Sequence, residues 1–393
     1  MKSKSRTAHY ALICASYFAA YSSAHAYAAV FLLEKGFSNT MIGVVLALAN
    51  VLSVVLQPIS AGFIDKYKAF TNRKVSLFCA FGCLISSVIL VFAKGPALIF
   101  SFYVLLYMLQ MLYQPLIQAM NFEYTDKGFK INFGLARGLG SMGYAVASPF
   151  VGALVEKNGV SVLPIINILI FSIGIIALIT FIAPKETEEA NDKKSAEEIH
   201  NSFISFVKHY PAFMIFILGT TFLFFQHNAL GDYLFQIIEP LGGTKATMGT
   251  LVMVSASLEL PAMASFAFFR KKLGTKNILV FSSIMFTVKT IIMLFANSIF
   301  WVYVSQSFQM IAYALFIPGA AYLAESVMEE LDKTKGQAYI ITAITLSGVF
   351  SSLVCGRLLD VLGVKNMLLV CVAVGIVGTL ICSIVLGKIK TRK

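Results

Sequence analysis

The chain has 393 residues, 58% of them hydrophobic and 13% charged, with a formal net charge of +12. Soluble domains carry about 25% charged residues, so this composition excludes one and points to a lipid bilayer. The charges cluster between long apolar runs, which excludes a barrel of alternating segments about 10 residues long. The basic residues sit at alternate ends of those runs, which excludes nucleic acid as the partner.

Spans of about 20 residues predict twelve helices, at 9–32, 41–64, 75–93, 97–122, 133–155, 160–183, 211–236, 246–269, 277–296, 299–325, 337–360 and 365–387. The basic stretch from Met1 to Arg6 resembles the start of a signal peptide. The apolar run behind it continues past about 20 residues with no clear cleavage site and reads as a retained first helix. The longest polar stretch, Pro184 to His209, is rich in Lys and Glu and reads as a solvated linker. The predicted organisation is an all-α membrane protein with a six-helix half at 1–184, a linker at 185–209 and a second six-helix half at 210–393. Lys and Arg alone set the orientation. Twenty-three lie on the side that holds both termini and the linker, and five on the other. Both termini are expected in the cytoplasm, with the chain in the cell (plasma or inner) membrane.

Polar residues interrupt the spans in a pattern. Span one carries Tyr17, Tyr21 and His25 at i, i+4 and i+8, one helix face. It reads as an aromatic, hydrogen-bonding wall of a cavity, or as an aromatic face packed on a neighbour. In the 2–3 loop, Asp65 and Arg73 read as gating charges, and Glu156 and Asp360 at other helix ends read as gating or loop-stabilising charges. Span four carries Gln110, Gln114, Gln118 and Asn121 on one face. Such amides must face protein or water, either a cavity or an interhelical seam. Arg137 lies about a turn into span five, among Gly134, Gly138, Gly140 and Gly143. It either snorkels to the headgroups or points inward across a closely packed face. Span seven has His227, a contact for a proton or substrate unless it is structural. Asn228, Asp232 and Gln236 share one face of that span. Span eight carries Glu259 two residues before Pro261. A charge at such depth costs at least about 2.5–3.5 kcal/mol. Lys289 of span nine lies about 20 Å deep and calls for an acidic partner, Glu259 or Asp232. Span ten adds Gln306, Gln309 and Tyr313 on one face. The six cysteines lie within apolar runs without a CxxC pair and read as core hydrophobes, so no disulfide, metal site or cofactor is expected.

The halves repeat. Pro58 and Pro261 are 203 apart, as are Pro115 and Pro318. Gly152-Ala-Leu-Val-Glu-Lys-Asn-Gly159 matches Gly356-Arg-Leu-Leu-Asp-Val-Leu-Gly363 at an offset of 204. A parallel repeat of two six-helix halves follows, and transporters built this way hold substrate near the midplane.

Together with Gly62-Phe-Ile-Asp65-Lys66 before Arg73-Lys74, these features resemble the major facilitator superfamily. Within it, the chain most resembles the oligosaccharide:proton symporter branch and its lactose-permease-like relatives. That likeness rests on Gln57-Pro58, on Phe133-Gly-Leu-Ala-Arg137-Gly-Leu-Gly-Ser-Met-Gly143, on Glu259-Leu-Pro261 and on Lys289. The resemblance implies that Arg137 contacts a hydroxylated substrate and that Glu259 serves substrate binding or proton coupling. The chain departs from the branch at three positions. Gln309 stands at the place of a span-ten His, Ala312 at that of a carboxylate one turn on, and Ala119 at that of a span-four carboxylate.

The expectation is a secondary active transporter, working as a monomer, that takes up a small polar solute such as a sugar or oligosaccharide with protons. Glu259 would exchange the proton, with Lys289 or Asp232 in the same relay. Arg137, Tyr21, His25, Gln114, Gln118, His227 and Gln309 would bind the substrate. The alternatives are a nucleoside or aromatic-acid proton symporter, a multidrug efflux antiporter and a non-transporting receptor. No HxxxD, GxSxG, HExxH or nucleotide loop is present, and no enzyme activity is expected.

Overall fold

A computed structural model describes residues 3–67, 69–126, 131–182, 203–329 and 332–389, and every regular element among them is helical. The first three helices are α1 (Ser3–Tyr21), α2 (Ala28–Glu34) and α3 (Asn39–Lys66). There follow α4 (Asn72–Phe92), α5 (Pro96–Asp126), α6 (Phe133–Asn158) and α7 (Val162–Thr180). Beyond the linker come α8 (Phe203–His209), α9 (Pro211–Asp232), α10 (Leu234–Ile238), α11 (Lys245–Leu273) and α12 (Thr275–Leu294). The last three are α13 (Ile299–Ser307), α14 (Tyr313–Val327) and α15 (Lys333–Lys388). Side chains mark several starts. The Thr71 hydroxyl accepts from the Lys74 amide, Asn132 caps α6 through the Leu135 amide, and Thr244 caps α11 through the Thr247 amide, each satisfying a donor the helix leaves unpaired.

Ten helical stretches are long and apolar enough to cross a membrane. Two local features account for the difference from twelve. The first crossing is split, because a π-helical turn at Ser22–Ala26 separates α1 from α2. The last stretch is two helices in one. At about 1.5 Å per residue the 56 residues of α15 far exceed the roughly 30 Å of a bilayer core, and they part at Gly363, where φ is 77° and ψ 177°. The expected fold class, an all-α membrane protein of two six-helix repeats, holds. The paired prolines lie inside matching helices, Pro58 in α3 and Pro261 in α11, Pro115 in α5 and Pro318 in α14.

The chain divides into two compact units, Met1–Phe31 with Val51–Asn201, and Leu32–Asn50 with Ser202–Lys393. Most of the predicted linker falls outside the described residues.

In the first unit, buried tyrosines tie helices to one another through backbone carbonyls. Tyr10 Oη donates to Ile117 O at 2.9 Å, Tyr17 Oη to Gln110 O at 3.2 Å, and Tyr103 Oη to Ala24 O at 2.8 Å. Each buries an apolar ring and satisfies its hydroxyl. In the second unit, α9 and α15 pack through Gly219, Gly375 and Gly378, as small residues permit between membrane helices. Phe213, Phe216, Phe224, Phe286 and Phe316 fill the adjoining core. The segment 32–50 joins this unit through real bonds. The Asp360 carboxylate accepts from the backbone amides of Asn39 at 3.0 Å and Thr40 at 2.7 Å and from both of their side chains. Lys245 forms an ion pair with Glu34.

Candidate functional site

The second unit holds a chain of polar side chains drawn from three elements. Lys289, in the last third of α12, is only 4% exposed. Its Nζ donates to Gln309 Oε1 at 2.6 Å, and Gln309 Nε2 donates to Glu259 Oε1 at 2.9 Å. Glu259 lies on α11, just before Pro261. A proline within a helix removes one backbone hydrogen bond and locally bends the helix. Gln309 sits in a single 3-10 turn, Phe308–Met310, between α13 and α14, and is 5% exposed. The Ser305 hydroxyl anchors the same region by donating to Lys289 O at 2.8 Å. The two charges singled out from sequence are thus joined through an uncharged amide. An ammonium only donates and a carboxylate only accepts, so the amide must turn its carbonyl to Lys289 and its NH2 to Glu259.

Asp232, the other acid considered for Lys289, ends α9 and accepts from Ser352 Oγ at 3.0 Å. Of the expected face shared by Asn228, Asp232 and Gln236, the first two lie together on α9 and both bond to α15. The helix stops at Asp232, and Gln236 belongs to the separate α10, where it donates to Asn39 Oδ1 at 3.0 Å. Asn228 donates to Ser347 Oγ at 2.9 Å. His227 lies in an aromatic box. Its ring stacks on Tyr313, with centroids 5.1 Å apart, and meets Phe224 and Phe286 edge-on at 5.6 Å each.

In the first unit, Tyr17 turns its hydroxyl onto the α5 backbone and is buried, so it packs and does not line a cavity. Tyr21 and His25 stack at 4.1 Å, and His25 meets Tyr107 at 3.6 Å. The π turn carries His25, which is 8% exposed, and neither of its ring nitrogens has a hydrogen-bond partner among the described residues. Gln110 is fully buried, with both amide atoms likewise unpartnered. Buried polar groups are nearly always bonded, and these atoms are exceptions. Gln114 and Gln118 follow on α5, half-buried. Arg137 is fixed in place. Its guanidinium lies 4.2 Å over the Phe18 ring and donates to Ser141 Oγ at 2.8 Å. Of the gating pair, Arg73 donates to Leu178 O at 2.7 Å and Ile179 O at 2.5 Å, binding the open carbonyls at the end of α7. The Asp65 side chain lies outside the described residues.

The MFS_1 like family model matches residues 9–370. The chain belongs to the MFS_1 like family. It is an integral membrane protein and a transporter of the MFS type, with the major facilitator fold. This MFS_1 like chain is 21% identical over 303 residues to the "Uncharacterized transporter YwbF" of Bacillus subtilis (strain 168), covering 75% of this chain and 71% of that one. Among solved structures it is similar to the nucleoside transporter NupG, with a TM-score of 0.80 at 13% identity, over 98% of this chain and 99% of that one. A POT family transporter in complex with a thioalcohol-conjugated peptide matches with a TM-score of 0.73 at 14% identity, over 98% and 96%. At such identities the likeness shows the fold alone.

Proposed function

We propose that this transporter couples solute movement to protons through Glu259, with Lys289 as the counter-charge, by alternating access. The observation that carries the reading is the Lys289–Gln309–Glu259 chain. Burial disfavours a lone charge, and a nearby opposite charge favours it. A carboxylate held within reach of a buried lysine can therefore be neutralised either by a proton or by that lysine. The solute is a small polar molecule such as a sugar or oligosaccharide, taken up across the cell membrane with both termini cytoplasmic. Its proposed ligands are Arg137, Tyr21, His25, Gln114, Gln118 and His227. The six-helix halves 1–184 and 210–393 are the moving parts.

A second reading, uptake of a nucleoside, draws support from the aromatic rings around His25 and His227. The fold likeness to NupG adds to it by analogy only. The test is accumulation of labelled lactose and labelled uridine in proteoliposomes under an imposed pH gradient. Glu259→Gln is expected to abolish accumulation and spare equilibrium exchange. A Glu259→Gln protein that still concentrates either solute along the gradient overturns the coupling role. Solute extruded against an inward proton flux would make the protein an antiporter.

A further inference from the structure

The sequence pattern marks Gln309 as a substrate ligand, yet both ends of its amide bond other side chains. We propose that Gln309 is a positioning residue that relays the charge of Lys289 to the Glu259 carboxyl group. This rests on the coupling role proposed for Glu259.

The geometry is specific. Lys289 Nζ donates to Gln309 Oε1 at 2.6 Å, and Gln309 Nε2 donates to Glu259 Oε1 at 2.9 Å. An ammonium drawing on the amide oxygen polarises the amide and strengthens its N–H as a donor, because hydrogen bonds in series reinforce one another in a low dielectric. A direct ion pair would fix the two charges on each other. The amide keeps them one side chain apart, while the carboxyl still senses whether Lys289 is charged.

The backbone puts the amide there. A continuous helix from Ile299 to Val327 would carry residue 309 in α-helical register. The 3-10 turn at Phe308–Met310 tightens the chain at that position, and such turns inside a helix often mark functional hinges. Ser305 Oγ on Lys289 O, at 2.8 Å, holds α13 against α12 beside the relay. His227 of α9 lies within electrostatic range of Lys289 and stacks on Tyr313 of α14, so these are further titratable groups that face the cluster. Neither takes part in the two hydrogen bonds of the relay.

The test needs no substrate. Infrared difference spectra between acid and alkaline buffer are recorded on the purified full-length protein in lipid nanodiscs. The Glu259 carboxyl band is the one lost in Glu259→Gln. Gln309→Leu, which removes both the donor and the acceptor, is expected to move that band to higher wavenumber as its hydrogen bond is lost. Lys289→Met, although not bonded to Glu259 through its own ammonium, is expected to move the band in the same direction. The double variant is expected to move it no further than Gln309→Leu alone, the non-additivity of a shared path. Gln309→His retains one donor and one acceptor and is expected to stay near the wild-type position, which keeps the proposal testable if the leucine variant fails to fold. Additive shifts, or a band unmoved by Lys289→Met, overturn the relay and leave the coupling role standing. If Glu259→Gln removes no band, Glu259 does not titrate and the coupling role itself falls.

Discussion

Gly159 and Gly363, 204 residues apart, share one backbone conformation, with φ 75° and ψ 174° at the first and φ 77° and ψ 177° at the second. That region is open in practice to glycine alone and strains other residues by about 1–3 kcal/mol. The internal repeat is therefore written in backbone geometry as well as in sequence, since each glycine closes the fifth crossing of its half. Alanine at either position should lower the melting temperature of the detergent-solubilised protein by a similar amount. Gly95→Ala is the control, because a Cβ there meets nothing within 4 Å and the backbone shows no positive φ. If Gly363→Ala melts with wild type, the conformation is not required.

The contact of α9 with α15 makes a graded prediction. A Cβ on Gly378 would lie 2.8 Å from Leu223 N and 3.0 Å from Gly219 O, both backbone atoms. Backbone cannot step aside cheaply, so Gly378→Ala should cost about 1–3 kcal/mol, the usual range for overpacking. A Cβ on Gly375 would instead strike the Gln226 amide, 2.2 Å from Oε1. That side chain can rotate away, at the expense of its bond to Thr287 Oγ1. Gly375→Ala should therefore be the milder change in thermal denaturation. Equal losses would mean that Gln226 is as immovable as backbone.

Much of this was legible in sequence, and for a physical reason. Crossing helices are set by apolar length, and that is a local property of the chain. The paired prolines and glycines gave the repeat in the same way. The π turn at Ser22–Ala26 and the 3-10 turn at Phe308–Met310 carry no proline or glycine, so nothing in the local pattern marks them. They depend on bonds to distant residues, such as Ser23 Oγ on Asn167 Oδ1 at 2.5 Å. The same holds for Gln309. Sequence offered Glu259 and Asp232 as acids for Lys289, but the amide that joins Lys289 to Glu259 comes from a third element, and periodicity cannot report on that. Nor could it show that α9 ends at Asp232 and so separates Asp232 from Gln236.

The start of α3 offers a test of a charged cap. Asp360 Oδ1 accepts from Asn39 N and Oδ2 from Thr40 N, and the Asn39 and Thr40 side chains add two more bonds. A carboxylate at a helix N-terminus meets both the unpaired amides and the positive end of the helix dipole. The site is exposed, so Asp360→Asn should cost only about 0.3–1 kcal/mol in thermal or denaturant unfolding. Thr40→Val should cost less in the Asp360→Asn background than in wild type. Independent, additive losses would show that the two residues do not act together.

Arg137 gives the last prediction, because its surroundings decide between two roles. A guanidinium that snorkels to headgroups needs only its length. Here it lies over the Phe18 ring at 4.2 Å and donates to Ser141, which leaves most of its five donors for an oxygen-rich solute. Lysine cannot reproduce that planar, stacked fork. Arg137→Lys should therefore weaken binding of whichever of lactose or uridine is transported by about tenfold, roughly 1.4 kcal/mol, as read by calorimetry. Phe18 has its place because Gly140 lacks a side chain; a Cβ there would fall 2.9 Å from Phe18 Cδ2. Gly140→Ala should push the ring from beneath the guanidinium and reproduce part of the same loss, although residue 140 carries no polar group of its own. Full affinity in both Arg137→Lys and Gly140→Ala would mean that the charge alone matters, and Arg137 would then be a headgroup anchor.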